Sequence, residues 1–238
     1  MSLKINNPRI SHCADWGLLV EFGERIDPEL NAWTRLVADR LRQCLTDGVL
    51  EVVTAYSSFL VIYDPALLDT AALRKTVFAC CSEKKEDEAF QLSSTAEIPV
   101  CYEPQYAPDI EDVARLNNLT VEEVIDIHCG TEYLIYMLGF APGFPYLGGL
   151  DQRLHTPRLD TPRKLLPAGA VGIAGSQTGI YPLASPGGWR IIGRTPLQLF
   201  DAGQNPPVPY YAPGDKLKFK RISSREFQRM AGEQSHGK

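Results

Sequence analysis

The sequence predicts an α+β chain in two parts: a small α+β sandwich over residues 1–90 and a β-barrel over residues 91–238. Three observations carry this. Apolar stretches in the first part run strand, strand, helix, strand, strand, helix, which suits helices on one face of an antiparallel sheet. A mixed-sign charged run, Ser82-Glu-Lys-Lys-Glu-Asp-Glu-Ala89, then reads as a solvated helix end or linker and puts a boundary near residues 86–94. The second part has many short strands separated by Gly/Pro turns and few helices, the pattern of a barrel.

Taken in order, residues 8–13 and 16–22 read as strands with turn chemistry at Ala14-Asp15 and Gly17. Asp27-Pro28 opens a helix, as N-cap and first helical residue. Leu30, Trp33, Leu36, Val37, Leu41 and Leu45 recur at helical spacing until Asp47-Gly48. Residues 50–54 and 59–63 are strands, and a helix over 69–81 buries Leu73, Val77 and Phe78. Residues 96–102 form a strand that Pro99 assigns to an edge or first position. Helices follow over 110–117 and 121–128, the second opened by a capping box of Thr120 and Glu123. Residues 133–138, 197–200 and 216–222 read as strands, 205–209 and 211–215 as rigid loops, and the tail from Ser235 as disordered.

The stretch from Leu138 to Phe200 organises the whole. Glycine and proline are dense there, yet Phe140, Phe144, Tyr146, Ile173, Tyr181 and Trp189 all need burial. Glycine permits positive φ and close backbone approach, and proline fixes φ. The mixture predicts tightly turned β structure with rigid loops, where binding groups are usually placed.

Of the 238 residues, 44% are hydrophobic and 22% charged, ordinary for a soluble globular protein. The net charge of −5 argues against nucleic acid or an anionic membrane as partner. No apolar run approaches the roughly 20 residues of a membrane span, and the first residues have no apolar signal-peptide core. The expected location is the cytoplasm. The six cysteines form no C-x-x-C pair and read as free thiols, with Cys129 of interest because it follows His128.

Polar residues within the turn-rich core are the candidates for chemistry. Arg158, Arg163, Arg190 and Arg194 could grip a carboxylate or phosphate. Backbone amides around Gly169, Gly172, Gly175 and Gly179 could form an anion nest, and Gln177 and Thr178 could donate directional hydrogen bonds. The expectation is a cavity for a small anion. The alternative is that the arginines brace loop carbonyls and the glycines only make turns. His128 is the proton-transfer candidate, or a helix-capping histidine. Asp15, Asp151, Asp160 and Asp201 sit in turn settings that favour structural roles. No nucleotide loop, serine-nucleophile elbow or metal cluster is present in the sequence.

The segments Leu138-Gly-Phe-Ala-Pro-Gly-Phe-Pro-Tyr-Leu147, Pro167-Ala-Gly-Ala-Val-Gly-Ile-Ala-Gly-Ser-Gln-Thr-Gly-Ile-Tyr-Pro182 and Ser185-Pro-Gly-Gly-Trp-Arg-Ile-Ile-Gly-Arg-Thr195 closely resemble the family of 5-oxoprolinase B-subunits. That family is also labelled KipI-like or allophanate hydrolase subunit 1. Gly17-Leu-Leu-Val-Glu-Phe-Gly23 and Tyr56-Ser-Ser-Phe-Leu-Val-Ile-Tyr-Asp-Pro65 extend the likeness to the first part. Thr54-Ala55 and Cys129-Gly130 depart from the family's usual pattern. The resemblance implies a small α+β N-terminal domain followed by a cyclophilin-like β-barrel. It implies two partners, a sister C-subunit that is KipA-like (allophanate hydrolase subunit 2) and the A-subunit of 5-oxoprolinase. It also implies ATP as cosubstrate, bound by this chain or elsewhere in the complex. The implied reaction is ATP-dependent opening of 5-oxoproline to glutamate. A KipI-like histidine-kinase inhibitor and an allophanate or urea carboxylase-related role are the alternatives. For this reaction the residue chemistry leads us to expect proton transfer by His128 and binding of an anionic group by Arg158, Arg163, Gly175, Gln177, Thr178, Arg190 and Arg194.

Overall fold

The computed structural model describes residues 7–44, 47–82, 95–201, 203 and 208–236. The chain divides into two compact units, residues 1–92 and 93–238. The expected boundary segment, 86–94, lies outside the described residues, as do Leu45 and residues 205–207 of one expected loop.

In the first unit, β1 (Arg9–Cys13) and β2 (Gly17–Glu21) form a hairpin, α1 (Pro28–Cys44) follows, then β3 (Val49–Thr54), β4 (Ser58–Tyr63) and α2 (Thr70–Ser82). The antiparallel sheet has the order β1-β2-β4-β3. Alternation in the strands sends Leu18, Val20, Phe59, Val61 and Tyr63 to one face, where they meet Val37 and Leu41 of α1 and Leu73 and Val77 of α2. Asp27 caps α1, its Oδ1 accepting from the amides of Glu29 and Leu30, both at 3.0 Å. Phe78, expected inside, is 40% exposed, so the buried stripe of α2 is narrower than its apolar content suggests.

The second unit runs β5 (Thr95–Cys101), α3 (Ile110–Leu116), α4 (Val121–Gly130), β6 (Glu132–Leu138), β7 (Pro145–Gly148), a short 3-10 turn (Gln152–Leu154), β8 (Arg163–Leu166), β9 (Ala170–Ala174), β10 (Gln177–Ile180), β11 (Ser185–Gly187), β12 (Arg190–Arg194), β13 (Phe200–Asp201), β14 (Val208–Pro209), β15 (Lys216–Ile222) and α5 (Ser224–His236). Seven strands close a barrel in the order β10-β7-β6-β15-β5-β12-β9. All its pairs are antiparallel except β5 with β15, which runs parallel from Thr95↔Lys216 to Cys101↔Ile222. Ile98, Val100, Tyr133, Ile135, Leu147, Val171, Ile173, Ile180, Ile192, Leu217 and Phe219 join one apolar core with residues from α3 and α4.

The structure corrects several expectations. Pro99 lies in a strand flanked on both sides, not at an edge. It is tolerated because β12 meets β5 only at Arg194↔Cys101, so no β12 ladder bond needs a Pro99 N–H. The strand expected over 197–200 shrinks to β13. The tail expected to be disordered from Ser235 is helical through His236, in a helix whose apolar stripe of Phe227, Met230 and Ala231 the sequence reading passed over. A Ser223–Glu226 capping box starts it, with Ser223 Oγ accepting from the Glu226 amide at 3.2 Å and Glu226 Oε2 accepting from the Ser223 amide at 3.0 Å. The Thr120–Glu123 box is formed as expected.

Gly148 is required by close packing: a Cβ there would sit 1.9 Å from the Tyr136 ring, which is buried. Gly148→Ala should therefore destabilise by about 1–3 kcal/mol through overpacking. Thr120→Ala should cost about 1 kcal/mol through loss of the cap. Urea unfolding of each variant reads both values.

Candidate functional site

Among the apolar side chains of the barrel core sits a small polar group built around His128. His128, on the last turn of α4, is 0% exposed. Its ring stacks on Phe219 of β15, with centroids 4.3 Å apart at 19°. Nδ1 lies 2.8 Å from Tyr102 Oη and Nε2 lies 3.0 Å from Thr178 Oγ1. Tyr133 Oη donates to the His128 carbonyl at 2.9 Å, and Cys129 Sγ reaches Tyr102 Oη at 3.4 Å. Burial lowers the His128 pKa from 6.5 to about 3, because an imidazolium here would lose its hydration without gaining a counter-charge. Burial likewise pushes Tyr102 well above the ordinary phenol range. Thr178 is itself fully buried, and its hydroxyl donates to the Gly172 carbonyl at 3.0 Å.

The four arginines are not gathered into one pocket. Arg163 makes a two-pronged ion pair with Asp109, at 2.7 and 2.6 Å. Asp109 is 4% exposed, and its Oδ2 also accepts from the Ile191 amide at 2.7 Å. Arg163 therefore fastens β8 to the start of α3 and to β12, with its charge already balanced. Arg190 donates through Nε to the Pro157 carbonyl at 3.0 Å and lies 3.4 Å from Asp112 Oδ2. Arg194 donates through Nε to the Ala168 carbonyl at 2.9 Å, with its guanidinium carbon 5.7 Å from the centre of the Phe227 ring. Arg158 is exposed and makes no hydrogen bond or ion pair among the described residues; its charge acts on Tyr181, whose pKa is nonetheless raised to about 12, mainly by burial.

The glycine amides are also committed. Gly175 N–H donates to the Thr156 carbonyl at 2.7 Å and Gly169 N–H to the Tyr181 carbonyl at 2.7 Å. Gly172 and Gly179 face each other in the β9–β10 ladder. A Cβ on Gly179 would lie 2.9 Å from Phe144 and 3.0 Å from Trp189, so this glycine makes room for rings rather than for an anion. Gln177 is half-buried at the start of β10 and Ser176 is exposed in the turn before it.

Two depressions, each of about 320 Å³, open to solvent outside the barrel. One is lined by Arg194, Thr195, Leu183, Phe200, Phe227 and neighbours. The other is the reverse turn of residues 138–143. There Phe140 takes φ +66 with 67% of its surface exposed, its ring edge-on to Phe144 and Tyr181 at 5.5 and 6.3 Å. A bulky residue in the left-handed region is an outlier that the surroundings must hold in place. Among the described residues no cluster of His, Cys, Asp and Glu could hold a metal. Phe140, expected to be buried with the other rings, stands exposed instead because the left-handed turn aims it outward; sequence reasoning gave no role to Asp109 or Tyr102. Asp109 carried only a helix-start signal, and its side chain makes no cap bond.

Two outcomes are expected. Asp109→Ala should cost about 2–4 kcal/mol in urea unfolding, because it strands Arg163 and the Ile191 amide; partial exposure of Arg163 keeps the loss below that of a fully buried pair. His128 is neutral when folded, with its pKa depressed to about 3. Its contribution is therefore complete above about pH 6.5 and is lost as pH falls toward 3, by about 1.4 kcal/mol per unit. Comparison with His128→Gln between pH 7 and 5 isolates this slope, since all other groups are shared.

Comparison with known proteins places this geometry. The family model described as "Carboxyltransferase domain, subdomain C and D" matches residues 8–210. The chain is 42% identical to the 5-oxoprolinase B-subunit of Bacillus subtilis (strain 168), over 92% of this chain and 95% of that protein. It is 43% identical to the 5-oxoprolinase B-subunit of Escherichia coli O157:H7, over 76% and 82%. The crystal structure of TTHA0988 superposes with a TM-score of 0.77 at 34% identity, covering 87% of this chain and 40% of that longer one. A match over most of the length, by family model and by relatives alike, makes this chain a member of the carboxyltransferase subdomain C and D family.

Proposed function

We propose that the chain is the B-subunit of an ATP-dependent 5-oxoprolinase in the cytoplasm, acting with an A-subunit and a sister C-subunit. The single observation that carries this is the 42% identity to a protein named as a 5-oxoprolinase B-subunit, over nearly the full length of both chains. The two units then correspond to the small α+β domain and the cyclophilin-like barrel that this family resemblance implies. An amide in a five-membered ring is a poor electrophile. Phosphorylating its carbonyl oxygen makes the carbon attackable by water, which gives ATP a chemical reason to take part.

In this reading the chain completes a site on its partners and does not hold a closed site of its own. The filled barrel supports that division, as do the internal commitments of Arg163, Arg190 and the glycine amides. Arg158 and the terminal nitrogens of Arg194 are the cations left to meet an anionic group, a substrate carboxylate or a phosphate. ATP is held elsewhere in the complex, consistent with a sequence that has no nucleotide loop.

The test is reconstitution. The chain with its A- and C-subunit partners should convert 5-oxoproline to glutamate with ATP consumption, and the chain alone should show no turnover. Within the complex, Arg158→Ala should lower kcat/KM by on the order of tenfold while unfolding as the parent does, because the residue braces nothing. Full turnover without this chain would contradict the reading.

A further inference from the structure

The hydrogen bonds around His128 have only one consistent direction. Thr178 Oγ1 has a single proton, and it is given to the Gly172 carbonyl. Toward His128 it can only accept, so Nε2 carries the ring proton and donates to it. In the neutral ring Nδ1 is then an acceptor, and Tyr102 O–H must donate to it. Tyr102 Oη in turn accepts from the Cys129 thiol. The result is one run of donors: Cys129 S–H to Tyr102, Tyr102 O–H to His128 Nδ1, His128 Nε2–H to Thr178, and Thr178 O–H to Gly172. No two protons in the run compete for the same acceptor.

We propose that His128 is a positioning residue, locked as the Nε2–H tautomer, that ties the C-terminal end of α4 to the β9–β10 hairpin carrying Gly175, Ser176 and Gln177. The tie reaches both strands of the hairpin, since Thr178 lies on β10 and Gly172 on β9. Among the described residues, the titratable side chains against the ring are Tyr102 and Tyr133, whose pKa values burial raises, and Phe219 covers one ring face; Cys129 lies against Tyr102, and the Arg221 charge acts on Tyr102 and Cys129 but not on the ring. No carboxylate is among the ring's hydrogen-bond partners, so nothing there favours a second ring proton. With both nitrogens engaged and the ring sealed from solvent, His128 fixes the geometry of the hairpin without exchanging a proton with substrate. The kinetic arm of the test rests on the 5-oxoprolinase reading above; the spectroscopic arm does not.

Ring-nitrogen NMR of the uniformly ¹⁵N-labelled full chain tests the assignment. The expected spectrum has one protonated and one unprotonated ring nitrogen for His128, with Nε2 the protonated one, unchanged from about pH 8 to about pH 5. Thr178→Val removes the acceptor and should shift the ring toward the Nδ1–H form, whereas Thr178→Ser restores the parent signature. In the reconstituted complex, His128→Gln and His128→Leu should each lower kcat by a factor that is the same at every pH, on the order of tenfold or more for leucine and less for glutamine. An Nδ1–H ring, averaged ring signals, titration near pH 6, or a Thr178→Val spectrum identical to the parent would overturn the proposal. So would a pH–rate ionisation that disappears in the His128 variants.

Discussion

Closing seven strands into a barrel creates an inner face that water cannot reach and side chains must fill. Here Val171, Ile173, Ile180, Ile192, Leu217 and Phe219 fill it, and α4 adds the His128 ring. Dense filling is what stabilises such a barrel, because interiors pack like organic crystals and voids forfeit contact energy. That constraint decides where polar chemistry can sit. The side chains that enter the interior must pair with one another, as Tyr102, His128 and Thr178 do. The charged ones stay at the rim or outside.

The arginines show what this does to function. Arg163 and Arg190, spaced along β8 and β12, hold strands to α3 and to the loop before β8 through Asp109, Asp112 and the Pro157 carbonyl. Such braces make the loops rigid, and a rigid loop loses less conformational entropy when anything binds to it. The exposed turn at Phe140 has the same character: three short backbone hydrogen bonds within residues 139–144 hold a strained aromatic residue in one conformation. Phe140 and the Arg158 guanidinium, unpaired among the described residues, both stand exposed on this framework.

Much of the local structure was legible from the chain. The Asp27 cap, the Thr120–Glu123 box and the strand–turn punctuation by glycine and proline each rest on residues a few positions apart, so sequence spacing carries them. The Ser223–Glu226 box and the helical spacing of Phe227, Met230 and Ala231 were equally local, yet with only these apolar residues α5 was not anticipated. Long-range facts had no local signature. The Arg163–Asp109 pair joins residues 54 apart, and nothing near either one distinguishes a brace from an anion site. The parallel meeting of β5 with β15 and the left-handed Phe140 likewise depend on tertiary packing. The family resemblance agrees with the mixed α/β make-up and the closed barrel; it could not tell which arginines were already committed.

Under the proposed function, this chain contributes a rigid surface to a site shared with its partners. Calorimetric titration of 5-oxoproline into the isolated full chain tests this most directly, with the same titration repeated on the assembled complex. The expected result is no saturable heat for the chain alone and one-site binding once its partners are present. Saturable, stoichiometric binding of 5-oxoproline to the isolated chain would contradict it.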